Sequence, residues 1–205
     1  HSIPAAYGYI IHTSSKTIAY TGDFRFHGPK SEMTRDFVEA ASKAGVDVLL
    51  IEGTNITGAT VSSEQQVENT VSELIGEVEG LVVASFSDRD VDRLRSIYQA
   101  ARENDRKLVM SMKQAFLIQT LREDPKIDVP DIRSEDVMVF SRDKSSTSAW
   151  EEVVHEEVEV HSGADINPIQ EDVVLVASYY DMNDLLDVEP RPGSIFILSQ
   201  SEFHD

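Results

Sequence analysis

Short apolar runs alternate along the chain with stretches in which apolar residues return every three or four positions. The runs at 81–84, 107–110, 137–140, 173–177 and 194–198 are bounded by turn formers. Runs of this kind predict strands buried on both faces, as in a parallel sheet. Between them the spacing becomes helical. Ser62 or Ser63 is placed to cap a helix carrying Val67, Val71, Leu74, Ile75 and Val78, stopped by Gly80. A second helix carries Val91, Leu94, Ile97, Tyr98 and Ala101, and a third runs from Lys113 through Leu121. The stretch 123–135, with Pro125 and Pro130, reads as a loop. The charged stretch 145–161 around Trp150 reads as helical, with a short helix at 182–186.

The first quarter of the chain has a different texture. Tyr9-Ile-Ile-His-Thr13 and Thr17-Ile-Ala-Tyr20 read as two arms of a hairpin joined by Ser14-Ser15-Lys16. Thr34 is expected to cap a helix with Phe37, Val38 and Ala41 on one face, closed by Gly45, and 46–51, broken only by Asp47, reads as a fully buried parallel strand. The pattern as a whole predicts an α/β fold. A doubly wound, largely parallel sheet with helices on both faces follows a smaller hairpin segment. The expected division is 1–55 and 56–205.

In such sheets ligands bind beyond the carboxyl ends of the strands, so residues at strand exits carry the chemical interest. Asp23 follows the hairpin's second arm through Thr21-Gly22, and Glu52 follows the next strand directly. A carboxylate on a rigid strand end suits a hard-cation ligand or a general base, although Asp after Gly is also an ordinary turn. Further exits carry Ser85 and Ser87, Ser111 and Lys113, Arg142 and Lys144, Ser178 and Asp181, Ser199 and Ser201. Ser85 and Ser87 precede a helix whose free N–H groups favour an anion such as phosphate, and either could equally serve as its cap.

Charge sharpens this picture. The chain has 37 acidic and 18 basic residues, formally −19. Such a surface repels nucleic acid at long range, so an enzyme acting on it would need metal ions and a local basic channel. Zero cysteines leave His, Asp and Glu as the available metal ligands. No apolar run approaches the ~18–20 residues of a membrane span, and a cytoplasmic protein is expected. The Asn55-Ile-Thr57 sequon is discounted without a secretory signal.

Taken together, His1-Ser-Ile-Pro-Ala, Tyr20-Thr-Gly-Asp-Phe-Arg, Leu49-Leu-Ile-Glu-Gly-Thr-Asn and Leu198-Ser-Gln-Ser-Glu resemble the metallo-β-lactamase-fold nucleases with a β-CASP insertion. That family includes ribonuclease J and the endonuclease of messenger-RNA 3′-end cleavage. By this resemblance 1–55 is a partial metallo-β-lactamase segment and 56–205 a β-CASP-like cap that forms an RNA cleft. The resemblance implies His1 and Asp23 as metal ligands, with Asp23 bridging two zinc ions (manganese being the alternative), and Glu52 as a supporting catalytic acid. Ser85, Ser87, Lys113, Ser199 and Ser201 are the substrate-binding candidates, and single-stranded RNA is the implied partner. A homodimer is an allowed assembly.

The departures from the family pattern matter equally. The upstream His-x-His-x-Asp-His motif and the cap's two later histidines are absent from these 205 residues. His12, His155 and His161 are expected to be packed or solvated, and His27, in the loop after Asp23, is the one histidine held back for a role. Catalytic zinc ordinarily takes three protein ligands and a water, so this polypeptide is expected to be a piece of a longer enzyme and inactive alone. A non-catalytic α/β binding or assembly module is the alternative. So is a lactamase-fold hydrolase of DNA or a small phosphoester.

Overall fold

The computed structural model describes residues 6–53, 63–125, 127–142, 146–177 and 185–199. It divides into two compact units, 1–67 and 68–205. The boundary expected after residue 55 falls among residues outside this description, as do His1, Lys144, Ser178, Asp181 and Ser201.

The first unit contains β1 (Tyr9–His12), β2 (Thr17–Tyr20), α1 (Ser31–Lys43) and β3 (Val48–Leu50), in sheet order β1-β2-β3. The hairpin is antiparallel, with Tyr9 opposite Tyr20 and their rings stacked at 6.5 Å. Its turn is closed by Thr13, whose side-chain oxygen accepts the Lys16 N–H at 2.9 Å. β3 lies parallel to β2 as expected, with Ile18 opposite Val48. Asp47 fixes this register from the side, its carboxylate accepting the Thr17 N–H at 2.8 Å. β3 is not the fully buried strand its apolar run predicts: each of its residues is exposed, because among the described residues no layer covers it. α1 begins at Ser31, a turn before the expected cap. Thr34 lies inside the helix because its hydroxyl is engaged elsewhere, donating to the Arg25 carbonyl at 2.9 Å.

α2 (Glu64–Gly76) starts at the end of the first unit and continues into the second. Ser63 and Gln66 close its start reciprocally, each accepting the other's N–H, as the Ser-x-x-Gln spacing predicts. There follow β4 (Val82–Ser85), α3 (Val91–Glu103), β5 (Lys107–Ser111), α4 (Met112–Leu121) and β6 (Val137–Phe140). The chain continues through α5 (Ala149–Glu157), β7 (Val160–His161), α6 (Gly163–Ile166), a 3-10 turn (Asn167–Asp172), β8 (Val173–Val176), α7 (Leu185–Val188) and β9 (Ile195–Leu198).

The sheet of the second unit is six-stranded and parallel, in order β7-β6-β5-β8-β4-β9. From β4 the chain steps across to β5, on to β6 and β7, then returns to fill the gap with β8 and finishes on the far side with β9. Right-handed crossovers put connections running one way on one face and those running the other way on the opposite face. α3, α4 and α5 therefore share a face, and α4 packs on α5. α6, the 3-10 turn and α7 cover the other, where Ile166 and Val188 join Val83, Val109, Phe140 and Leu175 in one cluster. Alternate strand residues such as Val82, Leu108, Met110 and Val139 are buried too. This is the doubly wound α/β fold, and covering on both faces is why its strands read as unbroken apolar runs.

Two segments differ from expectation. The helix around Trp150 ends at Glu157, and Val158 turns extended (φ −145°, ψ 156°) so that Val160 and His161 pair with β6 as an edge strand. The 163–172 region forms a short helix and a 3-10 turn. A polar clamp fastens the start of β6 to α3. Asp136 accepts from the Tyr98 hydroxyl at 3.0 Å and from Ser134, and pairs with Arg102 at 2.7 Å. Burial pushes the Asp136 carboxyl up, but the Ser134 and Tyr98 hydrogen bonds and the Arg102 charge outweigh it, and its pKa is lowered from 3.8. Tyr98 is raised in turn, by burial and by the Asp136 charge and hydrogen bond. Among the described residues no helix is long and apolar enough to cross a membrane.

Candidate functional site at the strand exits

The carboxyl ends of β2 and β3 lie side by side because the two strands are parallel neighbours, with Tyr20 opposite Leu50. The ladder runs one step further, the Thr21 N–H donating to the Leu50 carbonyl at 3.1 Å. Gly22 then turns the chain with φ +58°, and a Cβ there would sit 3.1 Å from the Tyr7 carbonyl oxygen. Only glycine takes this conformation cheaply. The turn delivers Asp23 to the surface, exposed. From β3, the half-buried Glu52 reaches across and accepts the Phe24 N–H at 3.1 Å through Oε1. Glu52 thus braces the turn that carries Asp23, and the two acids emerge at the same end of the small sheet.

The loop behind Asp23 is pinned by a feature that sequence reasoning missed. Arg25 and Glu64 form an ion pair at 3.4 Å with side chains only 6% and 8% exposed. Thr34 holds the Arg25 carbonyl, and the His27 carbonyl accepts the Glu64 N–H at 3.3 Å. The pair's members lie 39 positions apart, so no local spacing announces it. The available signal was an arginine between Phe24 and Phe26, two aromatic rings that themselves meet edge to face at 5.9 Å. His27 is half-buried in the same loop, and His12 lies 3.3 Å from the Thr17 hydroxyl on an exposed face.

In the second unit the strand exits are placed differently from one another. Ser85 is fully buried, and its hydroxyl has no hydrogen-bonding partner among the described residues. Its carbonyl accepts the Ser199 N–H at 2.8 Å, joining the ends of β4 and β9. Ser199 is held by Arg93, whose Nη1 donates to the Ser199 carbonyl at 2.8 Å and to its hydroxyl at 2.5 Å. The cap of α3 is Asp90, which accepts the Arg93 N–H at 3.1 Å; Ser87 is exposed and contributes its carbonyl to the Asp90 N–H. Lys113 is exposed and lies 3.4 Å from Asp88. Ser85 and Ser199 are brought together with Arg93, an arginine the sequence did not single out.

Tested as a metal centre, the described residues do not complete one: no group of three or more His, Asp or Glu among them converges. Asp23 has the chemistry of a ligand, while Glu52 is engaged in bracing the turn, so no catalytic step is drawn through a metal ion from these residues.

No family model matches the chain. Ribonuclease J 2 of Streptococcus pyogenes serotype M3 is 26% identical over 177 residues, 83% of this chain and 31% of that protein. Ribonuclease J of Sinorhizobium meliloti is 31% identical over 56% of this chain and 22% of its own length. For ribonuclease J of Mycolicibacterium smegmatis the figures are 35%, 49% and 19%. The chain thus spans about a third or less of these curated relatives. Among solved structures, a protein of unknown function from Enterococcus faecalis V583 superposes with a TM-score of 0.66 at 17% identity, over the whole of this chain and 51% of that one, which speaks for the fold alone. The chain is therefore a doubly wound α/β protein similar in sequence to bacterial ribonucleases J over 49% to 83% of its length.

Proposed function

We propose that this chain is part of a longer metal-dependent ribonuclease of the metallo-β-lactamase/β-CASP kind, acting on single-stranded RNA in the cytoplasm, and inactive by itself. The observation that carries the reading is the pairing of Asp23 and Glu52 at adjacent parallel strand exits, linked through the Phe24 N–H. On this reading Asp23 supplies a carboxylate to two zinc ions in the complete enzyme, manganese being the alternative, with His1 as a further ligand. Such ions would activate a water and stabilise charge on a phosphodiester. Glu52 acts by positioning: it fixes the turn so that Asp23 is presented in one geometry rather than many. The similarity to ribonucleases J supports RNA as the substrate.

The exposed apolar surface of β3 supports the second half of the proposal. Val48, Leu49, Leu50 and Ile51 are 41% to 56% exposed, and among the described residues β3 has a strand on one side only. A remaining portion of the lactamase sheet would cover them.

The test has two arms. Labelled RNA given to the pure 205-residue chain with zinc or manganese should not be turned over. In the full-length parent, Asp23→Asn should remove cleavage with little loss of fold, read by circular dichroism, because on this reading the acid serves metal rather than packing. Turnover by the short chain that is abolished by Asp23→Ala refutes the first arm, and wild-type activity in the Asp23→Asn parent ends the assignment.

A further inference from the structure

We propose that Arg93 is a positioning residue for substrate, holding the Ser199 hydroxyl so that it donates a hydrogen bond to a sugar–phosphate oxygen of single-stranded RNA. The inference rests on the ribonuclease reading above and adds a residue to it. The argument starts from topology. β4 leads into α3 on one face of its sheet, while β8, beside it, is followed by α7 on the other. Adjacent parallel strands whose exits diverge to opposite faces open a crevice, and ligands of α/β sheets sit in such crevices. Ser199 stands next to this place. It follows β9, the other neighbour of β4, and its N–H donates to the Ser85 carbonyl at 2.8 Å. The exits of β4 and β9 are thereby tied together, with Ser199 half-buried at the tie.

Hydrogen-bond roles then decide which group is left to act. Arg93, in the first turn of α3, donates from Nη1 to the Ser199 carbonyl at 2.8 Å and to the Ser199 hydroxyl oxygen at 2.5 Å. A guanidinium only donates, so the hydroxyl oxygen is the acceptor in that bond and its own proton points elsewhere. Among the described residues that proton meets no acceptor. A hydroxyl that accepts from a charged donor is polarised toward giving its proton away. The Ser199 O–H is therefore the uncommitted donor, and Arg93 supplies its orientation without touching the ligand.

Arg93 is itself poorly suited to hold an anion. Its Nη1 serves two acceptors already. Two acids belong to the same turn: Asp90 accepts the Arg93 N–H at 3.1 Å, and Asp92 is buried. The turn as a whole thus offers an anion little positive field. What it offers a strand of RNA is one directed donor, and contacts of that kind set the register and orientation of a backbone.

The experiment uses the full-length parent carrying Asp23→Asn, which on the nuclease reading leaves RNA uncut. It follows the anisotropy of a fluorescent single-stranded oligoribonucleotide, with DNA of the same sequence as a second arm. Ser199→Ala removes the hydroxyl and keeps the carbonyl that Arg93 also holds, so the tie between the strands survives. It should weaken RNA binding by about fivefold to tenfold, the size of one hydrogen bond. Arg93→Gln should do at least as much, and the double variant no more than Arg93→Gln alone, because both act through one bond. Arg95→Gln removes the same charge two positions along, where Arg95 pairs with Asp128 at 2.6 Å, and should leave binding unchanged. A loss shared by DNA assigns the acceptor to phosphate, and a loss confined to RNA assigns it to the 2′-hydroxyl. Unchanged binding in Ser199→Ala, losses that add in the double variant, or an equal loss in Arg95→Gln overturns the proposal. Failure of the nuclease reading shows itself differently, as continued cleavage by the Asp23→Asn parent or as no RNA binding at all, and takes this inference with it.

Discussion

β3 and β8 are nearly interchangeable as text. Val48-Leu-Leu50 and Val173-Val-Leu-Val176 are both aliphatic runs ending in a polar exit, and both form parallel strands. Yet every residue of β8 is buried, while every residue of β3 is exposed. The difference is position. β8 has a strand on either side and helices over both faces; among the described residues β3 is an edge with one neighbour. Among the described residues the buried apolar side chain of the first unit is Ala19, and the other buried groups there are Arg25, Thr34 and Glu64. The second unit holds itself together with a two-sided aliphatic core. The first holds its site loop with a buried ion pair and leaves its aliphatic strand uncovered, a patch of the kind that marks an interface.

The largest test strikes the ion pair. Arg25→Ala leaves the Glu64 carboxylate buried without its arginine, which should cost about 3–5 kcal/mol, read by urea unfolding and by loss of amide protection in β2 and α1. The double variant Arg25→Met/Glu64→Leu should recover most of that loss. If the single variant is neutral, the contrast between the units fails at its polar end. Its apolar end is tested by truncating matched leucines. Leu108→Ala, fully buried in β5, should cost about 2–5 kcal/mol through lost burial and a residual cavity. Leu49→Ala, 56% exposed in β3, should stay within about 0.5 kcal/mol. Equal costs would mean that β3 is covered in the isolated chain.

A smaller effect should come from the Asp136 clamp. Asp136→Asn keeps the shape but removes the charge that Arg102, Tyr98 and Ser134 address, at about 1–3 kcal/mol near neutral pH. Because the folded carboxyl titrates below its ordinary 3.8, its contribution is present above that value and is lost as pH falls through the lower folded pKa. The stability gap between wild type and variant should therefore close on acidification below about pH 4, and a gap that persists at pH 2 would assign the clamp to packing instead.

These contrasts also mark how far the sequence could be read. β4, β5, β6 and β8 were legible because two-sided burial writes itself as a continuous apolar run, β9 because it is an apolar run even though Phe196 and Leu198 are exposed at the sheet edge, and Ser63 because a cap acts on its immediate neighbours. β7 was not, since a two-residue edge strand is too short to show any period, and the helical pattern before it ran on through His161. Asp23 and Glu52 were legible as strand exits, but their adjacency depends on β2 and β3 being parallel partners. Arg93 with Ser199 and Arg25 with Glu64 both depend on strand order or distant pairing, which no local window carries. Thr34 shows the reverse failure: a sound capping residue in the wrong register, because a carbonyl nine positions earlier competes for its hydroxyl.

The smallest test asks whether the Asp23 turn is built for close approach or merely for a left-handed residue. Gly22 and Gly45 share nearly the same backbone, φ +58° and +64°. A Cβ at Gly45 would meet nothing within 4 Å, whereas at Gly22 it would sit 3.1 Å from the Tyr7 carbonyl. Alanine at either position pays the left-handed penalty of about 1–2 kcal/mol; at Gly22 it must also push a backbone oxygen away. Gly45→Ala is thus the control, and Gly22→Ala should exceed it by a few tenths of a kcal/mol, within the size of a small steric adjustment. The Phe24 amide, held by Glu52 on the other side of the turn, should show the accompanying shift in an NMR spectrum of Gly22→Ala and none in Gly45→Ala. Matching costs and an unmoved Phe24 would reduce Gly22 to an ordinary turn glycine and leave the Glu52 bond to the Phe24 N–H to shape the turn that carries Asp23.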